Sequence, residues 1–182
     1  MNSLEQTLVK RRNIYSDMAE TVSSGLQAVR KEGIRECLSG FQNNSHRLED
    51  VGTVRGIRFI NDSKATNVNA TWFALEIINN PIIWIAGGQD NGNDYGMLLP
   101  LVQQKVKALV CLGTDNTRLT GFFRGKIEQI VEVGRAREAV MASYIAGRPG
   151  DVVLLSPACA SFDLFDNYAD RGNQYKQAVY EL

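Results

Sequence analysis

From residue 51 onward, short apolar runs alternate with longer stretches whose apolar positions recur at helical spacing. The runs at 82–86 (Ile-Ile-Trp-Ile-Ala), 108–112, 127–131 and 152–155 read as strands. They are followed by helical patterns over about 95–106, 115–123, 135–146 and 164–182. Residues 51–60 read as two strands about a tight Arg55-Gly56 turn, and a further helical pattern opens at Ala70. Upstream, Ile14, Met18, Val22, Leu26 and Val29 fall at helical spacing, Gly33 closes that helix, and 34–41 reads as a second, shorter one. Strands alternating with helices imply right-handed crossovers, and so an α/β domain with a mostly parallel sheet. The polar, breaker-rich stretch 40–45 places a seam there, giving an N-terminal helical segment over 1–44 and the α/β domain over 45–182.

Composition adds exclusions. With 44% hydrophobic residues in 182, the chain can bury a core. Twenty basic residues balance twenty acidic ones, so no global field draws it to nucleic acid or to an anionic membrane. No apolar run approaches the ~20 residues that span a bilayer. Met1-Asn2-Ser3-Leu4-Glu5 carries acid early and opens no signal peptide. Cys37, Cys111 and Cys159 form no CxxC pair, which fits reduced thiols. The expectation is a cytoplasmic protein without a membrane or nucleic-acid partner.

Four polar loops carry the candidate chemistry, and all four are expected to meet at one sheet edge. Asn61-Asp62-Ser63-Lys64-Ala65-Thr66-Asn67 leaves a strand and enters a helix, where ligands bind in open α/β sheets. Asp62 can accept from sugar hydroxyls, Lys64 can neutralise phosphate or carboxylate, and Thr66 can donate to an anion. Both charged residues are expected on an exposed loop. A plain turn capped by Thr66 or Asn67 is the competing reading. Ser45-His46-Arg47-Leu48-Glu49 holds the single histidine beside an arginine that can stack on a base or fork onto phosphate. Gly87-Gly88-Gln89-Asp90-Asn91-Gly92-Asn93-Asp94 mimics phosphate-loop spacing, but Asn93 and Asp94 stand where Lys and Ser/Thr are needed. Ser156-Pro157-Ala158-Cys159-Ala160-Ser161-Phe162-Asp163 offers small residues for close backbone approach, or else a capping box for the last helix.

Taken together, His46-Arg47-Leu48-Glu49, the 60–67 string, the Gly87-Gly88 loop and the 154–163 string resemble the C-terminal domain of the Mur ligases, its D-glutamate-adding branch above all. The resemblance covers nearly the whole chain and implies a Rossmann-like three-layer αβα domain. It implies ATP-dependent amide formation: the carboxylate of UDP-N-acetylmuramoyl-L-alanine is phosphorylated and the D-glutamate amine attacks the acyl phosphate. On this likeness His46, Arg47, Asp62 and Lys64 line the ATP side. Thr66, Asn91, Ser161, Phe162 and Tyr168 line the D-glutamate side. Asn91 replaces a lysine usual at that position, Arg12 a histidine and Ser16 an asparagine.

No GxxxxGK[ST] occurs. The chain is therefore expected to be the third domain of such a ligase, inactive alone and closing over ATP and Mg²⁺ bound mainly by the N-terminal and central domains. A diverged noncatalytic binder of a nucleotide or acidic amino acid is the alternative. A hydrolase using Cys159 or Ser161 with His46 is disfavoured, because no GxSxG elbow is present.

Overall fold

The apolar run at 82–87 is buried at every position because helices cover both faces of its strand. The computed structural model describes residues 45–182, and the helical patterns expected over 13–31 and 34–41 lie outside them. Among the described residues the sheet has six strands: β1 (Glu49–Val54), β2 (Ile57–Asn61), β3 (Ile82–Gly87), β4 (Val106–Leu112), β5 (Gln129–Val133) and β6 (Val152–Ala158). Their order is β1-β2-β6-β3-β4-β5, parallel except for β1. The hairpin turns where expected, with Arg55 and Gly56 both at positive φ (48° and 80°), the geometry of a two-residue turn matched to strand twist.

The helices are α1 (Val68–Ile77), α2 (Leu99–Lys105, after a 3₁₀ turn Gly96–Leu98), α3 (Thr117–Phe123), α4 (Ala136–Ala146) and α5 (Tyr168–Tyr180). The crossovers from β2 through β5 all step in one direction across the sheet, and the β5–β6 crossover steps back. Right-handed crossovers therefore put α1, α2 and α3 on one face and α4 on the other, where α5 packs beside α4. Period-two alternation sorts the strands accordingly. Ile82, Trp84, Leu109, Cys111 and Leu154 pack with α1–α3, while Ile83, Ile85, Val110, Val153 and Leu155 pack with α4 and α5. The three-layer αβα architecture follows from these two cores.

Local chemistry fixes the ends. Asn67 is the N-cap of α1, its side chain accepting from the Ala70 N–H at 3.0 Å. At the other end of α1 the Lys105 ammonium donates to Leu75 O, Glu76 O and Ile78 O at 2.8–2.9 Å, meeting carbonyls that the helix leaves open. The last helix begins later than the expected Leu164. Leu164 N–H and Phe165 N–H turn back onto Ser161 O, and Asn167 caps α5 by accepting from Ala169 and Asp170. Ser161 is therefore not the cap of that helix.

Candidate functional site

Parallel strands deliver their carboxyl ends to one edge, and the four polar loops meet there as expected. Lys64 N–H donates to His46 O (2.9 Å), Asp62 N–H to Leu155 O (2.8 Å), Ala158 N–H to Ala65 O (3.0 Å) and Gln89 N–H to Ala160 O (2.9 Å). His46, Leu48 and Ala158, all in these loops, have positive φ of 66°, 45° and 60°. Left-handed non-glycine residues cost roughly 1–3 kcal/mol each and persist where the surroundings over-determine them. Here the surroundings are the bonds just described, together with Leu48 N–H on Asp62 Oδ1.

Asp62 is not on an exposed loop. It is 5% exposed, with Oδ1 accepting from Leu48 N–H (3.2 Å) and Oδ2 from the Ser156 hydroxyl (2.9 Å). The reason is topological: β6 runs beside β2, so Ser156 reaches the turn leaving β2. Burial pushes the Asp62 carboxyl up to about 7, against the opposing pull of Ser156, Leu48 and Arg47. His46 is likewise buried, its Nδ1 3.0 Å from Asn61 Nδ2 and its ring edge-on to Tyr168. A side chain at Gly172 would collide with that imidazole, so α5 packs directly against the loop. Burial, reinforced by Lys176, lowers the His46 pKa below the usual imidazole value. Lys64 is half-buried, with Nζ 5.7 Å from the Tyr168 ring centroid.

Arg171 holds these loops together. It is 1% exposed, and its guanidinium donates to Ser63 Oγ and O, Gly87 O, Cys159 O and Ala160 O at 3.0–3.5 Å. Burial pulls its pKa down to about 10, so it stays charged at neutral pH. Gly88 lies in the same knot at φ 122°, where a side chain would strike Ala160 O. The sequence did carry a signal for Arg171. It falls on the buried stripe of α5 with Tyr175, Ala178 and Val179, one and two turns on.

Beyond this knot a cleft of about 360 Å³ opens between the ends of β3, β4 and β6. Its far wall is the loop after β4, Thr114 to Asn116, of which the sequence pattern counted Asp115 and Asn116 into the following helix. Asp90 accepts from Gly92 N–H, Asn93 N–H and the Tyr95 hydroxyl at 2.8–2.9 Å, and Arg118 approaches it at 3.4 Å. Burial works against ionisation of Asp90, but Asn93, Tyr95, Gly92 and Arg118 hold its pKa below the usual carboxylate value. Cys159 lines the same cleft, its thiol pushed up by burial. Phe162 stands at the mouth, 69% exposed.

Of the residues expected to bind ligands, Thr66, Asn91, Phe162 and Tyr168 are exposed at this edge, and Arg47 and Lys64 are half-buried. His46, Asp62 and Ser161 lie inside it. The cleft itself takes only Phe162 from that set; its other lining residues include Asn116, Arg118 and Asp163.

A family model described as "Mur ligase, glutamate ligase domain" matches residues 46–159. The chain is 49% identical over 182 residues to the UDP-N-acetylmuramoylalanine–D-glutamate ligase of Christiangramia forsetii, covering 100% of this chain and 41% of that protein. It is 49% identical over 170 residues to the enzyme of that name from Porphyromonas gingivalis, covering 93% and 38%. The chain thus spans about two fifths of the length of these curated relatives. Two solved structures share the fold. A murein peptide ligase from Psychrobacter arcticus has TM-score 0.53 and 13% identity over 80% of this chain and 32% of its own. The UDP-N-acetylmuramate-alanine ligase of Thermotoga maritima has TM-score 0.51 and 14% identity, with the same coverage. The chain belongs to the Mur ligase family, through its glutamate ligase domain.

Proposed function

We propose that this chain is the terminal domain of an ATP-dependent ligase that joins D-glutamate to UDP-N-acetylmuramoyl-L-alanine in the cytoplasm. Residues 1–44 form the end of the preceding domain and its linker, and 45–182 the domain that presents the amino acid. The observation that carries this is 49% identity along the entire chain to a ligase of that name. In the reaction a carboxylate oxygen of the muramoyl-alanine attacks the γ-phosphorus of ATP and ADP leaves. The deprotonated amine of D-glutamate then attacks the acyl phosphate carbon, and phosphate leaves with the electron pair of the broken C–O bond.

This domain's part is positioning, which replaces a bimolecular encounter with a held geometry. Thr66, Ser161, Phe162, Tyr168 and Asn91 surround the D-glutamate carboxylates. Arg47 and Lys64 face the nucleotide. Asp62 and His46, both buried, serve the ATP side mainly through the loop backbone they hold. Mg²⁺, like most of the ATP, is held by the N-terminal and central domains. The full-length gene product should incorporate labelled D-glutamate with stoichiometric ADP release, while the 182-residue chain alone should turn over neither substrate. Incorporation of a different amino acid, or turnover by this chain alone, would overturn the reading.

A further inference from the structure

The Ser156 hydroxyl carries one proton and meets two acceptors, Asp62 Oδ2 at 2.9 Å and Thr71 Oγ1 at 3.1 Å. All three side chains are buried, and they come from three elements: β6, the turn after β2, and α1. Thr71 Oγ1 also lies 3.3 Å from Ser156 O, which already accepts from Trp84 Nε1. Asp62 Oδ1 points the other way, to Leu48 N–H.

Two arrangements leave no hydroxyl proton unmet. With Asp62 ionised, Thr71 donates to Ser156 Oγ and Ser156 donates to the carboxylate. With Asp62 protonated on Oδ2, the order reverses: Asp62 donates to Ser156 Oγ, Ser156 to Thr71 Oγ1, and Thr71 to Ser156 O. One proton comes from solvent, and the two hydroxyls only rotate. A buried donor left unmet is the costly outcome, and Thr71 prevents it in the protonated state.

The opposite flank of Asp62 feels the same charge. A carboxylate holds Leu48 N–H more tightly than a neutral carboxyl does. His46 and Leu48 both sit at positive φ, so their loop needs such bonds to keep its shape. Arg47, between them, is the charge that acts on Asp62, while β6 and α1 bring hydroxyls. Of the other charges nearby, Lys176 pairs with Glu49, Lys64 lies over the Tyr168 ring, and Arg171 is bound to Ser63.

We propose that Thr71 and Ser156 are positioning residues that act through Asp62, a reversible hydroxyl relay that makes the hold on the 46–48 loop proton-dependent. Ionised Asp62 grips the loop, and protonated Asp62 slackens it. Burial, which raises the carboxyl to about 7, puts the change near neutrality. The relay belongs to this domain. Its consequence for the nucleotide rests on the ligase reading, in which Arg47 faces ATP.

The test is an NMR titration of the 182-residue chain from about pH 4 to pH 8. The Asp62 carboxyl carbon and the Leu48 amide proton should share one midpoint, separate from that of the His46 ring, with the amide moving downfield as pH rises. Thr71→Val removes the acceptor that only the protonated form needs, and should lower the midpoint by about one pH unit. Thr71→Ser should keep the wild-type midpoint. In a Ser156→Ala background Thr71→Val should no longer move it, because the link to Asp62 is cut. A Leu48 amide indifferent to Asp62, or the same drop with and without Ser156, overturns the relay. In the full-length ligase Thr71→Val should have the lower KM for ATP between the two midpoints and the wild-type KM above them. Equal KM values across that window, with the midpoint moved as expected in the 182-residue chain, leave the relay standing and overturn the assignment of this loop to the nucleotide.

Discussion

At the ends of β2 and β6 both carboxylate oxygens of Asp62 accept hydrogen bonds from the protein, whereas in the cleft beyond β3 the buried oxygens of Asn116 and Asp163 accept none among the described residues. The two regions share one sheet edge and similar residue types. They differ in what the buried polar groups meet. On the Asp62 side the network closes on itself and holds three residues at positive φ. On the cleft side the loops are equally fixed, by Arg171, Asp90 and the Thr114–Asp163 bond, yet acceptors remain open. A closed network holds its loops in one shape, and on the cleft side two polar atoms are left without a protein partner among the described residues.

The largest effect is expected at Arg171. Arg171→Met should cost about 3 kcal/mol, because it takes the donor from the Ser63 and Cys159 carbonyls and removes further bonds to Gly87 O and Ala160 O. Urea denaturation reads this directly, and a loss below about 1 kcal/mol would mean that the loops stand without it. Asp62→Ala comes next. Near pH 4, where its carboxyl is largely neutral, the substitution should cost about 2 kcal/mol by orphaning Leu48 N–H and leaving the Ser156 hydroxyl only Thr71 Oγ1 as acceptor. An exposed Asp62 would have cost roughly 0.5 kcal/mol or less.

The same pair of proteins tests the electrostatics. The folded pKa of Asp62 is raised to about 7 from 3.8, so between those values the folded state holds a proton that the unfolded state has released. Stability contributed by Asp62 is fully present below pH 4 and falls as pH rises toward 7. The gap between wild type and Asp62→Ala should narrow over that window and then level off; a widening gap would place Asp62 in an ion pair instead. The smallest effect is expected at Asn91. It is exposed, so Asn91→Lys gains a screened charge worth about 0.2–1 kcal/mol, an up to roughly fivefold lower KM for D-glutamate in the full-length ligase. A larger gain would show that a lysine at 91 is less screened than its exposed position implies.

Much of the architecture was legible because apolar runs and helical spacing are local signals. The runs at 82–86 and 152–155 became β3 and β6 with slightly later ends, and the Arg55-Gly56 turn fell in place. The convergence of four loops was legible too, since parallel strands must end together. The start of α5 was not, because the choice between Ser161 and Asn167 as cap depends on a turn closed by two backbone bonds onto Ser161 O. Nor was the burial of Asp62, which needs Ser156, 94 positions away, to arrive beside it.

The sequence by itself determined the strand–helix alternation, the polar content of each loop and the family, since these rest on neighbouring residues and their spacing. Only the tertiary structure decided which polar groups satisfy one another. A carboxylate and an arginine on polar segments read as ligand-facing until strand order brings their partners. Strand order sets Ser156 against Asp62 and gathers four carbonyls around Arg171, and it leaves one oxygen each of Asn116 and Asp163 without a partner among the described residues.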